Sequence, residues 1–148
     1  MPHLAALLRV ARRLTPEPTS AEDLVQETML LAWRGFRGFQ SGTNARAWLF
    51  RIMFNVFHGQ SRRELRSPEF PSRDVRPMFQ EAVEIAEALN ALSLEQRTVL
   101  LLCVVEGFTC REAAGILDLP IGTVMSRLSR ARRELRESLA PVAKEAYR

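Results

Sequence analysis

Apolar residues recur every three or four positions through the first half of the chain, which is the spacing of amphipathic α-helices. The first such segment predicts a helix over Leu4–Leu14, ended by the prolines that follow it. A second helix is predicted to run to about Arg34, with Thr19 and Ser20 as N-caps and with Glu22 and Asp23 three residues later as in a capping box. A third helix is predicted over Ala45–Arg66. No stretch alternates apolar and polar residues as a half-buried β-strand would.

Three prolines interrupt this pattern between residues 67 and 78, and helical spacing resumes after them. Ser93 with Gln96, and Thr109 with Glu112, have the residue types and the spacing of capping boxes at helix starts. The helices predicted in this half cover residues 80–92, 93–107, 109–117 and 121–139. The last of them is expected to end before Pro141.

These elements predict an all-α fold of two small helical domains joined by a proline-rich linker. A chain of 148 residues has room for one medium domain or two small ones, because domains commonly contain about 50–200 residues. The predicted boundaries are residues 1–66 for the first domain, 67–79 for the linker, 80–140 for the second domain and 141–148 for a C-terminal tail.

The charge balance favours a polyanionic partner. The chain has 21 Lys and Arg residues against 17 Asp and Glu, which gives a formal net charge of +4 at neutral pH. Overall charge says nothing about placement, so the distribution of the basic residues over the predicted helices has to decide.

The sequence offers little catalytic or metal-binding chemistry. Cys103 and Cys110 are distant in sequence from His3 and His58, so neither a metal site nor a disulfide scaffold is expected. Cys103 lies in an apolar run and is expected to be buried. Because no nucleophile with its base, carboxylate pair or glycine-rich phosphate loop is recognisable, we expect neither enzymatic activity nor a cofactor.

Neither a run of about 18 apolar residues nor a secretory signal is present in this sequence. We therefore expect no membrane insertion and a cytoplasmic location.

The last predicted helix separates apolar from basic residues. An advance of about 100° per residue places Val124, Leu128, Ala131 and Leu135 on one side. The opposite side carries the small and basic residues Gly122, Thr123, Ser126, Arg127, Arg130 and Arg133. Together with the preceding short helix and the turn Asp118–Pro120, this helix has the proportions of a DNA-binding helix-turn-helix. A solvated basic helix with local ion pairs to nearby glutamates is the alternative.

The long third helix has a polar stripe opposite its apolar residues. The stripe consists of Trp48, Arg51, Asn55, His58 and Arg62. An aromatic ring beside cationic and amide side chains suits unstacked nucleic-acid bases, which can stack on the ring while arginine neutralises a phosphate. The alternative is that Trp48 packs in the core.

The second helix is expected to pack through its apolar side, which contains Val25, Met29, Ala32 and Phe36. Leu30 instead lies among charged residues such as Asp23 and Glu27. A leucine within a charged stripe suggests a surface that binds a partner, although single exposed apolar residues are common.

Four segments carry a family resemblance. Residues 21–28 (AEDLVQET) and 42–50 (GTNARAWLF) resemble region 2 of bacterial extracytoplasmic-function (ECF) RNA polymerase sigma factors, members of the sigma-70 family. Residues 92–97 (LSLEQR) and 122–132 (GTVMSRLSRAR) resemble region 4 of the same family. The resemblance covers nearly all of residues 4–139 in the order of the family, with its linker between.

The resemblance implies a protein without catalysis of its own that docks on core RNA polymerase and directs it to promoters. It implies that the second helix contacts the β′ clamp through Asp23, Gln26, Glu27 and Leu30. It implies that the −10 element is recognised and held open by Asn44, Arg46, Trp48, Arg51, Asn55, His58 and Arg62. It implies that the −35 element is read by Gly122, Thr123, Ser126, Arg127, Arg130 and Arg133. The implied partners are core polymerase, at the β′ clamp and the β flap, promoter DNA and an anti-sigma factor.

Two positions depart from the family pattern. Met125 stands where the family very often carries Lys or Arg, which removes one phosphate contact. Leu31 occupies a position that is commonly charged, and it either extends the packing or adds to a partner surface.

Three other functions are alternatives to that of a working sigma factor. A sigma-like mimic that binds an anti-sigma factor would not need the basic residues of the last helix. An ordinary helix-turn-helix repressor would give no role to the linker or to the stripe that begins at Trp48. An enzyme would need the catalytic groups that the sequence lacks.

Overall fold

The computed structural model of the chain describes residues 3–38, 44–64 and 80–146, and their side chains except those of 61–64, 80–83 and 140–146. The described residues form seven α-helices and two short helical turns, and no strand occurs among them. The all-α prediction is therefore confirmed. The chain divides into two compact units. The first contains the helices within residues 3–64, and the second contains most of the helical residues from 80 onward. The predicted linker, residues 67–79, lies outside the described residues.

The first unit is built around α2, which packs against both of the other helices. Its elements are α1 over Leu4–Leu14, α2 over Pro18–Gly35, a 3-10 turn over Phe36–Gly38 and α3 over Ala45–Glu64. The largest fully buried side chains come from all three helices and include Leu7, Leu24, Phe50, Met53 and Phe54. This shared core orients α3 so that the residues opposite Phe50 and Met53 face outward.

The start of α2 corrects one prediction. Thr19 and Ser20 are not N-caps, because the helix begins earlier, at Pro18, with Glu17 as the N-cap and no side-chain capping bond. Proline suits the first helical position, since its φ angle is already helical and its missing N–H would have no partner there. The helix therefore starts on a proline rather than on a hydroxyl cap.

The second unit contains α4 over Gln80–Ala91, α5 over Leu94–Leu100, a π-helical turn over Leu101–Val105, the first five residues of α6, which spans Cys110–Leu117, and α7 over Ile121–Ala146. Both α4 and α5 pack against α7. Of the four residues on the predicted apolar side of α7, Val124, Leu128 and Ala131 are buried in the core and Leu135 is half-buried. These three residues determine which side of α7 is left for solvent.

Both predicted capping boxes of this unit are confirmed. The Gln96 N–H donates to Ser93 Oγ at 3.2 Å, and the Ser93 N–H donates to Gln96 Oε1 at 3.3 Å. The Glu112 N–H donates to Thr109 Oγ1 at 3.1 Å, and the Thr109 N–H donates to Glu112 Oε1 at 3.0 Å. Each pair satisfies backbone donors that a helix start otherwise leaves without partners.

Two residues with positive φ reverse the chain on either side of α6. Gly107 has φ +76°, a conformation that glycine adopts without steric cost, and it follows the π-helical turn. Asp118 has φ 54° and begins the turn between α6 and α7, where the Leu119 N–H donates to the Ala114 carbonyl at 3.0 Å. Aspartate tolerates this conformation better than most residues, so the sequence suits the tight turn of a helix-turn-helix.

The end of α7 corrects a second prediction. The helix does not stop before Pro141 but continues to Ala146. A proline inside a helix removes one backbone hydrogen bond and strains the preceding turn, and these costs do not always end the helix. The residues predicted as a tail from 141 onward therefore begin as part of α7.

Cys103 is only half-buried, which contradicts the expectation that it lies in the core. It lies in the π-helical turn, followed by the exposed Val104 and Val105. Burial raises the pKa of the Cys103 thiol to about 11, the neighbouring Cys110 thiol adds to the increase, and Arg132 opposes it. The thiol is therefore protonated at neutral pH, when it is a weak nucleophile.

Arg97 ties the end of α4 to α5. Its Nε donates to the Leu89 carbonyl at 2.9 Å, and its Nη2 donates to the carbonyls of Asn90 and Leu92 at 3.0 and 3.1 Å. Burial lowers the pKa of the Arg97 guanidinium, which nevertheless stays charged at any physiological pH. One cation thus bonds to three carbonyls at and just after the C-terminus of α4, where α-helical partners run out.

Arg97→Ala is expected to lower the free energy of unfolding by about 1–3 kcal/mol, because hydrogen bonds to a charged donor are lost and their carbonyls are left with poorer partners. Urea denaturation followed by circular dichroism measures the change. Arg111→Ala is the matched control, since Arg111 is exposed on α6. Equal stability of the two variants would contradict the bridging role of Arg97.

Candidate nucleic-acid interface

The basic face of α7, which we define as Gly122, Thr123, Ser126, Arg127, Arg130 and Arg133, lies on the surface. Thr123 and Arg127 are half-buried and the other four are exposed. A side chain added at Gly122 would meet nothing within 4 Å, so the first turn of the helix is open to a close neighbour. The structure thus brings all six predicted residues together on one side of one helix.

The arginines of this face have no partners among the described residues. Within the part of the chain that the structure describes, the guanidinium groups of Arg127, Arg130 and Arg133 form no ion pair and no side-chain hydrogen bond. Glu134, a predicted local partner, instead accepts a hydrogen bond from Gln96 Nε2 at 3.3 Å and so joins α7 to α5. The alternative of a helix whose charges pair locally is therefore not what the structure has for these three residues.

The polar stripe of α3, which is Trp48, Arg51, Asn55, His58 and Arg62, is also largely on the surface. Arg51, Asn55 and His58 are exposed, at intervals of three and four residues that place them in one row. The His58 ring contacts the rings of Phe54 and Phe57, with centroid distances of 6.2 and 5.8 Å. These contacts hold the imidazole against the buried side of the helix. The side chain of Arg62 lies outside the described residues.

Trp48 occupies a position between the two alternatives considered for it. The residue is half-buried, and its Cζ2 atom lies 3.7 Å from the place where a Cβ at Gly35 would stand. One side of the indole therefore packs beside the end of α2 while part of the ring stays accessible. Such a ring is held in place and still offers a surface on which a base can stack.

Asn44 and Arg46 have structural contacts that the sequence reasoning did not foresee. The Asn44 side-chain oxygen accepts the Ala47 N–H at 3.1 Å and so caps the start of α3. The Arg46 guanidinium carbon lies 5.8 Å from the centre of the buried Phe50 ring, which is a cation–π distance. Arg46 therefore lies toward the Phe50 side of the helix rather than in the row of Arg51 and Asn55.

The predicted polymerase-binding residues lie together on α2. Asp23, Gln26, Glu27 and Leu30 are all exposed and follow one another at helical spacing. Gln60 Nε2 donates to Glu27 Oε2 at 3.3 Å, which links this surface to α3. Leu31, the second leucine, is also exposed, so it does not extend the packing.

Trp33 was not predicted on this surface, and Phe36, which was predicted on the packed side, is exposed. Trp33 is 81% exposed, the highest value among the exposed large apolar residues of the described chain. It follows Leu30 by three residues and Gln26 by seven, so its spacing alone could have placed it there. Phe36 was expected on the packed side and is 65% exposed, because it lies in the 3-10 turn after α2, where the α-helical advance no longer applies. We define the outer face of α2 as Asp23, Gln26, Glu27, Leu30 and Trp33.

None of the described helices is long and apolar enough to cross a membrane. Likewise, no three His, Cys, Asp or Glu side chains within the described ranges lie close enough together to hold a metal ion.

Comparisons with known proteins agree with this arrangement. Residues 1–67 match the family Sigma-70 region 2, and residues 82–135 match Sigma-70, region 4. The ECF RNA polymerase sigma factor EcfG of Rhodopseudomonas palustris (strain TIE-1) is 35% identical over 139 residues, which cover 88% of this chain and 77% of that protein.

Two solved structures are similar in fold and sequence. The sigma factor RpoE of Bartonella quintana, solved in complex with the anti-sigma factor NepR, has a TM-score of 0.79 and 36% identity, covering 93% of this chain and 92% of that chain. CnrH, solved in complex with the cytosolic domain of CnrY, has a TM-score of 0.74 and 31% identity, covering 95% of this chain and 84% of that chain.

A three-helix unit with a polar aromatic stripe, followed by a unit that ends in a helix-turn-helix, defines a DNA-binding transcription initiation protein of the sigma-70 type. More narrowly, the chain belongs to the ECF RNA polymerase sigma factors.

The two tryptophans provide a test of the first unit. In Trp48→Phe, the remaining Trp33 is expected to emit at long wavelength and to be strongly quenched by acrylamide, because its ring is exposed. In Trp33→Phe, the remaining Trp48 is expected to emit at shorter wavelength and to be quenched less, because its ring is half-buried. Both should become equal in denaturant. Stronger quenching of Trp48 than of Trp33 in the folded protein would contradict the described positions.

Proposed function

We propose that this chain binds core RNA polymerase and directs it to promoters by reading a −35 element as duplex and a −10 element as separated strands. The observation that carries the proposal is the basic face of α7, whose three arginines have no ion pair or side-chain hydrogen bond within the described chain. Three adjacent charges without internal partners favour a polyanion. On this proposal the protein acts in the cytoplasm, without a cofactor and without catalysis of its own.

At the −35 element, the start of α7 would enter the major groove. Recognition helices contact base edges mainly through their N-terminal residues, and here those positions are Gly122, Thr123 and Ser126. Their small side chains allow close approach, and the exposed N-terminus of a helix also attracts phosphate. Arg127, Arg130 and Arg133 lie farther along and would reach phosphates or guanine edges.

At the −10 element, the polar stripe of α3 would capture an unpaired base. Taking a base out of the duplex costs a few kcal/mol, and stacking on an aromatic side chain returns about 1–3 kcal/mol per base. The accessible part of the Trp48 ring and the exposed Arg51 and Asn55 support this role. Asn44 and Arg46 at the start of α3, and His58 and Arg62 farther along, are proposed to contact the same DNA.

The outer face of α2 is proposed to bind the β′ clamp of core polymerase. It combines the carboxylates of Asp23 and Glu27 with the exposed Leu30 and Trp33. Exposed tryptophan next to charged residues is typical of protein interfaces, where aromatic residues supply much of the binding free energy. The second unit would in turn contact the β flap.

An anti-sigma factor is the third proposed partner. The relatives RpoE and CnrH were solved in complex with the anti-sigma factor NepR and with the cytosolic domain of CnrY, respectively. At 36% and 31% identity to those proteins, this chain is proposed to bind an inhibitor of the same kind. The competing function, a mimic that binds only an anti-sigma factor, would not need the unpaired arginines of α7.

Transcription in vitro tests the proposal as a whole. The full chain with core polymerase is expected to initiate RNA from a subset of a promoter library, and neither component alone should do so. The enriched promoters should share two short elements, because each unit presents one DNA-binding surface. If the chain with core polymerase initiates RNA on none of the templates, the proposal is contradicted. Binding to an anti-sigma factor without any initiation would favour the mimic.

Single substitutions on α7 test the −35 role. Arg127→Ala or Arg130→Ala is expected to weaken binding of the polymerase complex to a −35-containing duplex by about 1–3 kcal/mol, with core association unchanged. Arg34→Ala on α2 is the charge-matched control, because Arg34 is exposed but lies in the first unit. Electrophoretic mobility shift measures DNA binding. If promoter affinity is the same in all three variants, these arginines are not part of the interface.

A further inference from the structure

Two large apolar side chains lie exposed in the first two turns of α7. Ile121 is 44% exposed and Met125 is 55% exposed. They are four residues apart, so they are neighbours on one side of the helix. The buried Val124 beside them marks where the packed side of α7 begins. The pair therefore forms a short apolar strip between the core and the basic face of α7.

The surroundings of this strip favour DNA over a protein partner. Gly122 and Ser126, which follow the two apolar residues in the chain, are exposed and small, and Gly122 has open space around it. Arg127 and Arg130 lie farther around the same helix, beyond the small residues, and have no ion pair within the described chain. An apolar strip that borders small residues, with these arginines beyond them, complements a surface that is mostly anionic and locally apolar.

The major groove of duplex DNA is such a surface. Its apolar group is the 5-methyl of thymine, and recognition by apolar side chains is a known way of distinguishing thymine there. Residues at the start of a recognition helix are the ones that contact base edges. Neither isoleucine nor methionine can bind a phosphate ionically, so this pair would contribute to sequence preference rather than to general affinity.

We propose that Ile121 and Met125 read thymine 5-methyl groups in the −35 element, so that the preferred element carries thymine opposite the first two turns of α7. This inference rests on the proposed binding of duplex DNA by α7. Methionine adapts its shape easily, because it has an unbranched and flexible side chain, so Met125 is expected to follow a methyl group more closely than the stiffer Ile121 does.

Replacement of thymine by deoxyuracil tests the proposal, since this change removes only the methyl group and keeps the base pair. The probe is a promoter from the in vitro selection, bound by the full chain with core polymerase, with each thymine of the −35 element replaced in turn. At one or two positions the replacement is expected to weaken binding about fourfold, which corresponds to the burial of one methyl group.

Protein variants assign the effect to its residues. In Met125→Gln, which keeps the length of the side chain, the preference for thymine over deoxyuracil should disappear at one position. In Ile121→Thr it should disappear at another position or at the same one. Leu4→Gln on α1 is the control, because it also replaces an exposed large apolar residue but lies in the first unit and outside the proposed polymerase-binding and DNA-binding surfaces. Thermal unfolding checks that the variants are folded.

The outcomes separate this inference from the function on which it rests. If no promoter duplex is bound, both fail. If the duplex is bound but no deoxyuracil replacement weakens it, or the element contains no thymine, only the inference is overturned. If the thymine preference persists in both variants, other residues read the methyl groups and the inference is likewise overturned. If the variants weaken only the binding of core polymerase, the inference is also overturned.

Discussion

The rotation of α7 about its own axis is the constraint on which the DNA-binding surface depends. Val124, Leu128 and Ala131 are buried against α4 and α5, and because each residue advances the helix by about 100°, their burial determines where every other side chain points. A shift of one residue in this packing would turn the guanidinium groups of Arg127 and Arg130 toward the core, where an unpaired charge costs several kcal/mol. Packing and function are therefore set by the same few apolar residues.

The first unit solves a harder packing problem, because α2 contacts a helix on each of two sides and still presents an outer face. Small buried residues make this possible: Ala21, Thr28 and Ala32 let neighbouring helices approach closely. The buried Thr28 hydroxyl donates to the Leu24 carbonyl at 2.7 Å, so this hydroxyl has a hydrogen-bond partner. The remaining side of α2 then carries the exposed Trp33 and Leu30, which suit the proposed binding of a partner.

Short-range spacing in the sequence predicts the all-α class, the two capping boxes of the second unit and the outward basic face of α7. The sequence does not predict the start of α2, the continuation of α7 past Pro141 or the exposure of Phe36. Each of these lies at a helix end, where a single residue type favours more than one geometry and tertiary packing decides between them. The bridge from Arg97 to three carbonyls was also out of reach, since it depends on how α4 and α5 meet.

The contacts of Asn44 and Arg46 raise the question of whether residues with structural roles can also bind DNA. The cap of α3 uses the side-chain oxygen of Asn44, whereas hydrogen bonding to a phosphate would use its amide N–H groups. The contact of Arg46 with Phe50 uses the face of the guanidinium, whereas phosphates and base edges are bound by the N–H groups at its rim. The structural contacts would therefore reduce the freedom that these residues lose on binding, so that DNA meets groups already held in place.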